Sequence, residues 1–219
     1  MKRKIQPEIT KAKILDVAQK LFIDKGYEKT TTQEIVDISG LAKGTVFHHF
    51  KTKEYILLGV LEKSMNSSIT GLKGWLESFN GLNAREKLIK MFENPDETPE
   101  DVQETKLFKM AILTQSPHIH LAEIKTGHEK LAPILAELIR EGIKDGSLST
   151  QYPDEVAQYL MLVYSLWCDP ITVSCTIPEL EQRLKFIQYN MKILGVDIIS
   201  DKFIDNIIEF SKDLLKEYN

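Results

Sequence analysis

A short run of cationic, small and aromatic residues is the part of this sequence best suited to chemistry on another molecule. If residues 42–50 form a helix, a rotation of about 100° per residue places Val46 and Phe50 together on an inward-packing side. The remaining surface of that helix then carries Lys43, Gly44, Thr45, Phe47, His48 and His49. A glycine, a small hydroxyl, a cation and aromatic rings on one exposed surface can approach the edges of DNA bases closely. The pattern therefore indicates a helix that reads DNA.

The flanking residues predict a helix-turn-helix around this run. Gly26 ends a first amphipathic helix, and Thr31 opens a second one, in which Glu34 completes a capping box. A tight turn at Gly40 separates the second helix from the third, and Thr52 caps a fourth. The predicted helices cover residues 8–25, 31–38, 42–49 and a stretch from 53 to beyond 70. In DNA-binding versions of this motif, the second helix of the pair lies in the major groove.

The charge distribution supports a polyanionic partner for the first quarter of the chain. Residues 1–53 hold 11 Lys and Arg against 6 Asp and Glu, whereas the other 166 residues hold 17 against 26. The whole chain has a net charge of −4, so the basic excess is local. This asymmetry favours contact between the first quarter and nucleic acid.

The composition is that of a soluble globular protein, with 219 residues, 42% hydrophobic and 27% charged. No apolar run approaches the roughly 18 residues of a membrane span, and no apolar segment follows the basic N-terminus as in a secretory signal. Cys168 and Cys175 lie about 10.5 Å apart if they share one helix, which is too far for a disulfide. A cytoplasmic protein with no membrane partner is expected.

Helical spacing continues almost without interruption, and no alternating strand pattern persists. The sequence predicts nine or ten helices and an all-α fold. It divides into a three-helix DNA-binding domain at 1–53 and a larger helical ligand-binding and dimerisation domain at 54–219. Predicted helices at 154–169 and 177–195 are apolar on more than one face, so each packs centrally in the chain or against a second chain.

The amino-acid sequence of residues 22–57 resembles the N-terminal domain of the TetR family of transcriptional regulators. The resemblance covers about residues 8–60 and is carried by Gly26-Tyr27, Thr30-Thr31-Thr32, Glu34-Ile35, Ser39-Gly40, Lys43-Gly44-Thr45 and Phe47-His48-His49-Phe50-Lys51-Thr52-Lys53-Glu54. It implies base contacts from Lys43, Gly44, Thr45 and His48, and phosphate contacts from Thr31, Thr32, Phe47, His49 and Lys53. Phe47 replaces the usual tyrosine, so its ring packs without the phenol-to-phosphate hydrogen bond.

The resemblance also implies a homodimer formed through a four-helix interface near the C-terminus. The predicted interface residues are Tyr159, Val163, Leu180, Leu184, Ile187 and Met191. The last four alternate at spacings of four and three, as in a helix-pairing seam. Two DNA-reading helices, one from each subunit and related by a two-fold axis, would bind an inverted-repeat DNA site.

A small-molecule effector is the remaining partner that the resemblance implies. Aromatic and methionine residues suit an apolar pocket, and the predicted lining is Trp75, Met91, Phe108, Met110, Tyr164 and Trp167. The function expected is that of a repressor released from its palindromic operator by an apolar or amphipathic molecule. No cofactor is expected, and no metal, because the pair His118 and His120, with His128 farther along, has no carboxylate or thiol at ligand spacing. The alternatives are an all-α enzyme and a protein-interaction module that does not bind DNA.

Overall fold

The computed structural model describes residues 7–93 and 99–218, which fold into α-helices and two π-helical segments. The helices are α1 (Pro7–Lys25), α2 (Thr32–Ser39), α3 (Lys43–His49), α4 (Lys53–Ser78), α5 (Ala84–Glu93), α6 (Pro99–Leu113), α7 (Pro117–Thr126), α8 (Ala132–Asp145), α9 (Pro153–Leu162), α10 (Ile177–Ile193) and α11 (Asp201–Tyr218). The π-helical segments are Gly127–Leu131 and Val163–Trp167. No strand occurs within these ranges, so the all-α prediction is confirmed, with more helices than the nine or ten expected.

Side-chain caps and a left-handed glycine define the helix-turn-helix. The Thr31 hydroxyl accepts a hydrogen bond from the Glu34 backbone N–H at 3.2 Å, and the Glu34 carboxylate accepts one from the Thr31 N–H at 2.9 Å. Gly40 ends α2 with φ at 63°, a conformation that favours glycine. The Thr52 hydroxyl accepts from the Tyr55 N–H at the start of α4. These predicted boundaries are confirmed.

The core beneath α3 is built by more than the three N-terminal helices. Ile14, Phe22, Ile35 and Val46 are fully buried in one apolar cluster. That cluster also contains Ile56, Leu57, Val60 and Leu61 from α4, and Leu107, Ala111 and Ile119 from α6 and α7. The predicted domain boundary at residue 53 therefore cuts through this N-terminal core, because short helices need the next elements to bury their apolar faces.

A second core joins α5, α8, α9, α10 and α11. The predicted dimer seam of α10 lies in this second core, where Leu180, Leu184, Ile187 and Met191 are at most 2% exposed. Their assignment to a surface for a partner chain is wrong, because the same spacing that suits helix pairing is satisfied by helices of one chain. Within the described residues, no helix is both long and apolar enough to cross a bilayer.

The two phenylalanines of the 42–50 run differ sharply in burial, and this difference makes a stability prediction. Phe50 is 6% exposed in the N-terminal core, whereas Phe47 is 38% exposed. Phe50→Ala is expected to lower the free energy of unfolding by about 3–5 kcal/mol, because it removes a buried ring and leaves a cavity. The matched control, Phe47→Ala, is expected to change it by less than about 1 kcal/mol. Urea denaturation followed by circular dichroism measures both, and equal losses would contradict the described packing.

Candidate nucleic-acid interface and ligand cavities

The surface of α3 has the two sides that the sequence predicts. Val46 and Phe50 are buried, while Lys43, Gly44 and His48 are exposed. Lys43 extends along the helix, with its Nζ 5.8 Å from the centre of the Phe47 ring. The exposed surface therefore presents a cation, a bare backbone position and aromatic rings side by side, a combination suited to the base edges of a DNA groove.

Gly44 has no role in the internal packing of the chain. A Cβ atom added there would meet no heavy atom within 4 Å, and the backbone does not require the left-handed conformation. Gly59 of α4 differs, because a Cβ there would lie 2.8 Å from Leu15 Cδ2 and 3.0 Å from Phe50 Cε1. A helical glycine costs roughly 0.5–1 kcal/mol relative to alanine. Gly44 therefore leaves room for the close approach of a molecule outside the fold.

Two of the residues predicted to contact phosphate are already bonded within the chain. The Thr31 hydroxyl takes part in the capping box and also donates to Glu34 Oε2 at 3.0 Å. Lys53 Nζ donates to the Tyr27 carbonyl oxygen at 2.9 Å and lies 4.1 Å from the centre of the Tyr27 ring. Lys53 thus holds the start of α4 against the turn that follows α1. The predicted phosphate contacts of Thr31 and Lys53 would therefore be made by side chains that already bond within the chain.

The other predicted phosphate contacts lie at the edges of the helix-turn-helix. Thr32 is the first residue of α2 and is partly buried. His49 is also partly buried, and its ring meets that of His48 edge-on at 5.8 Å between centroids. Thr45, a predicted base contact, is partly buried beside exposed Gly44. All of the predicted DNA-contacting residues thus lie on α2 with its cap, on α3, or at the first residue of α4.

An ion pair joins α1 to α2 beside this surface. Lys25 bonds the Glu34 carboxylate, which also accepts from the Thr31 backbone and hydroxyl. These contacts, with the Lys25 hydrogen bond the largest, lower the pKa of Glu34 to about 2. The carboxylate therefore stays ionised at neutral pH and keeps the N-terminus of α2 in place.

Two neighbouring cavities, both partly open to solvent, lie in the helical part of the chain, with volumes of about 970 and 160 Å³. Three residues predicted to line a pocket are found there, since Phe108 and Tyr164 line both cavities and Met91 lines the larger one. Both π-helical segments contribute to the walls, through Gly127, Leu131 and Tyr164. A π-helical turn holds an extra residue and is often found at functional sites.

The other three predicted pocket residues lie elsewhere. Trp75 packs on the second core and meets Phe79 edge-on at 4.5 Å between ring centroids. Met110 packs on the N-terminal core, and Trp167 meets the Phe186 ring at 6.0 Å. These three residues line neither of the two cavities, and aromatic and methionine side chains mark core as well as pocket positions.

Helix α11 and one carboxyl group also contribute to the cavity walls, and neither was predicted from the sequence. Phe203, Ile207 and Phe210 of α11 line the larger cavity, and Glu123 of α7 lines both. Burial raises the pKa of Glu123 to about 7. The spacing of the α11 residues indicates one apolar face, but it does not indicate whether that face meets core or cavity.

Helix α7 connects the cavities to the N-terminal core. Ile119 is fully buried in that core and also lines the smaller cavity. The Ser116 hydroxyl, which caps α7, donates a hydrogen bond to Glu54 Oε1 at the start of α4. His120 of α7 bonds Thr172 at 2.8 Å, and Thr172 bonds Asp169. One short helix therefore touches the helix after α3 and the wall of the smaller cavity.

An exposed apolar face occupies adjacent sides of α9, the following π-helical segment and α10. It consists of Leu162, Leu166, Phe186, Tyr189 and Ile193. The Trp167–Phe186 ring contact and a 3.3 Å hydrogen bond from Asn190 Nδ2 to the Tyr159 hydroxyl hold the two sides together. Predicted interface residues Tyr159 and Val163 lie partly buried beside this face. Side chains of this kind gain stability when a second surface covers them.

Comparison with known proteins places the N-terminal segment among regulators. Residues 14–60 match the family described as "Bacterial regulatory proteins, tetR family". The HTH-type transcriptional regulator QacR of Staphylococcus aureus is 55% identical over 51 residues, covering 23% of this chain and 27% of QacR. An uncharacterised HTH-type transcriptional regulator of Bacillus subtilis, YerO, is 29% identical over 150 residues, covering 68% of this chain and 49% of YerO. The chain thus spans half or less of the length of these two relatives, which are regulators rather than enzymes.

The fold also matches solved structures over nearly its whole length. Salmonella enterica GusR superposes with a TM-score of 0.56, covering 98% of this chain and 99% of GusR, at 17% sequence identity. At that identity the similarity concerns the fold. The arrangement of an N-terminal helix-turn-helix and a larger helical part is therefore shared.

Gly44 provides a test of the DNA-facing assignment of α3. Gly44→Ala is expected to raise the free energy of unfolding by roughly 0.5–1 kcal/mol, because alanine is the better helix former and the added Cβ meets nothing. The same Cβ is expected to weaken DNA binding about tenfold or more, because it keeps the helix from the base edges. Urea denaturation and fluorescence anisotropy with a bound duplex measure the two effects.

Gly71 of α4 supplies the matched control. It is exposed and helical, and a Cβ there also meets no atom within 4 Å. Gly71→Ala should give a similar gain in stability with unchanged DNA affinity. Unchanged affinity in Gly44→Ala as well would remove this side of α3 from the interface.

Proposed function

We propose that this chain, which belongs to the TetR family of bacterial regulatory proteins, is a homodimeric repressor that leaves an inverted-repeat operator when a small apolar or amphipathic molecule fills its cavities. The cavities, the connection between them and α3, and the exposed apolar face each support one part of this proposal. Repression follows if the operator overlaps a promoter and the ligand-free form is the one that binds.

The position of α7 is the observation that carries the proposal. Ile119 belongs to the core beneath α3 and to the wall of the smaller cavity. Ser116, three residues earlier, bonds Glu54, which directly follows Lys53 at the start of α4. A ligand that changes the position of α7 therefore changes contacts that support α3. Such a ligand shifts the equilibrium by the difference between its affinities for the two arrangements.

The cavities are large enough for this role. The larger cavity, of about 970 Å³, lies within the range of about 300–1,000 Å³ that ligand pockets commonly enclose, and the smaller one adds about 160 Å³. The smaller cavity has mainly aromatic and aliphatic walls, whereas half of the residues that line the larger one are polar or charged. An apolar part of a ligand suits the smaller cavity, and a mixed wall suits an amphipathic molecule.

The exposed surface of α3 supports sequence-specific DNA binding. Lys43 is placed to donate to guanine, and Thr45 offers a methyl group to thymine, while bare Gly44 permits the close approach. We assign His48 to base contact as well, and Thr32, His49 and Phe47 to the sugar–phosphate backbone. Lys53 and Thr31 then act chiefly by holding α4 and α2 in position.

The exposed apolar face supports dimerisation through α9 and α10. Phe186, Tyr189 and Ile193 occur at i, i+3 and i+7 on α10, so they share one side of the helix. Leu162 ends α9 and Leu166 lies in the following π-helical segment, and both are exposed beside the Trp167–Phe186 contact with α10. Two such faces related by a two-fold axis form a four-helix contact, and each patch is self-complementary as a two-fold interface requires.

An operator selection together with one interface variant tests the proposal. Duplex selection with the purified chain is expected to return inverted repeats whose half-sites are about 34–36 Å apart, or a multiple of that spacing. Ile193→Glu is expected to give a folded monomer, because it places a charge on the covered face, and to lose most of the operator affinity. Analytical ultracentrifugation and anisotropy measure the two results.

Leu121 gives the control for this variant, since it is 66% exposed on α7 whereas Ile193 is 63% exposed on α10. Leu121→Glu should leave the dimer and its operator affinity intact. Asymmetric selected sites bound by a monomer would contradict the proposal.

The link through Glu54 makes a prediction that needs no ligand. Operator binding is expected to slow amide exchange in residues 117–126, because DNA stabilises α3, α4 and, through Ser116, the first turn of α7. Glu54→Ala removes the acceptor and should abolish most of that protection, which hydrogen-exchange mass spectrometry measures.

Glu62→Ala is the control on the same helix, because Glu62 lies 3.9 Å from Lys130 and does not contact Ser116. It should retain the protection of α7 by DNA. If Glu54→Ala retained it too, the cavities and α3 would be coupled by another route.

A further inference from the structure

A single carboxyl group lies where the two cavities meet. Glu123 lines both of them, within an apolar surround that includes Met65, Phe108, Tyr164, Ile207 and Phe210. These shared residues come from α4, α6, the second π-helical segment and α11. A molecule that occupies both cavities must therefore pass beside Glu123.

Glu123 has no bonding partner among the residues that the structure describes. The shift of its pKa to about 7 has burial as its cause, with no compensating hydrogen bond or cation. The other acid and base of the smaller cavity, Asp169 and His120, are each bonded through Thr172. A partly buried carboxylate that lacks a partner is costly, and a positively charged ligand group removes that cost.

The surroundings of Glu123 suit a cation that carries apolar substituents. The rings of Phe108, Tyr164 and Phe210 line both cavities, and aromatic faces attract organic cations. Among its described lining residues, the smaller cavity includes no lysine or arginine. Burial raises the pKa of the Tyr164 hydroxyl, so it stays neutral and adds no negative charge of its own.

The lysines of the larger cavity do not offset this carboxylate locally. Lys109 bonds Glu217 at 2.6 Å, and Lys202 lies 4.0 Å from Glu93. The remaining lysine, Lys106, is exposed. Each of these lysines is therefore close to another acidic residue or exposed to solvent. Among the described residues, Glu123 remains the unpaired charge where the two cavities meet.

We propose that the effector is an organic cation with one positive nitrogen, which binds beside Glu123 between aromatic rings and extends apolar groups into both cavities. This inference rests on the proposed release of DNA by a ligand, and it narrows the ligand class from apolar or amphipathic molecules to cationic ones. Quaternary ammonium and protonated tertiary amine groups have the required chemistry.

Three probes with the same decyl chain and different charges test the inference. Decyltrimethylammonium is a cation, decyldimethylamine oxide is uncharged overall, and decyl sulfate is an anion. Binding to the full chain is measured by calorimetry below the micellar concentrations, at about pH 8, where Glu123 is ionised. The cation is expected to bind on the order of 10- to 100-fold more tightly than the amine oxide, and the anion most weakly.

Glu123→Gln keeps the shape of the side chain and removes its charge. It is expected to abolish the preference for the cation while leaving affinity for the amine oxide nearly unchanged. Glu209→Gln is the matched control, because Glu209 lines the larger cavity but is exposed. That control should retain the preference. Thermal melting checks that both variants stay folded.

The possible outcomes separate this inference from the proposed function. Equal binding of cation and amine oxide, equal loss of both in Glu123→Gln, or binding of no probe would overturn the inference. Release of operator DNA by an uncharged or anionic probe, independently of Glu123, would uphold the proposed function and overturn the inference. Cation binding that requires Glu123 but leaves the operator bound would uphold the ligand class and refute ligand-induced release.

Discussion

Burial of the first turns of α4 against α1 is the interaction on which the rest of the structure depends. Ile56, Leu57 and Val60 are fully buried in the same cluster as Ile14 and Phe22. Without them, α2 and α3 could not be held, since helices of eight and seven residues are marginal in isolation. The DNA-facing surface is therefore stable only when joined to the helix that leads into the larger cavity. Separate domains with a flexible linker would not have this property.

This shared burial also joins the cavity-lining part of the chain to the core beneath α3 in two ways. Direct contact comes through α4, and indirect contact comes through α7, whose Ile119 enters the N-terminal core. The polar bond between Ser116 and Glu54 fixes the relative position of α7 and α4. Because packed cores resist gradual deformation, a ligand between these helices favours one discrete arrangement over another.

The helix-turn-helix could be predicted from the sequence because its signals are local. Thr31, Glu34, Gly40 and Thr52 act within four residues of the backbone groups that they satisfy, and all four occupy the predicted roles. The burial of Val46 and Phe50 likewise followed from the rotation of one short helix.

The cavities and the exposed apolar face depend on packing between distant segments, which periodicity does not determine. The seam of Leu180, Leu184, Ile187 and Met191 was correctly recognised as apolar, yet it faces the chain's own core. The residues that remain for a partner, such as Tyr189 and Ile193, were the ones left off that seam. Similarly, Trp75 and Phe108 look equivalent in sequence, and only the position of α11 makes Phe108 part of a cavity wall. The bond from Lys53 to the Tyr27 carbonyl oxygen likewise joins residues 26 positions apart, and helical periodicity does not indicate it.

Helix α4 runs without a break from the DNA-facing end to the cavity wall. A small tilt of this helix therefore produces a displacement comparable to the spacing of base pairs. Met65 lines both cavities and lies 12 residues beyond Lys53 on the same helix, which corresponds to about 18 Å of helix axis. A tilt of about 10° over that length moves the start of the helix by about 3 Å, close to the rise of about 3.4 Å between successive base pairs. In the proposed two-fold dimer the displacements are opposite, so the distance between the two readers changes by up to about 6 Å. If a ligand tilts α4 by this amount, the two DNA-reading helices of the proposed dimer no longer match the fixed repeat of a duplex.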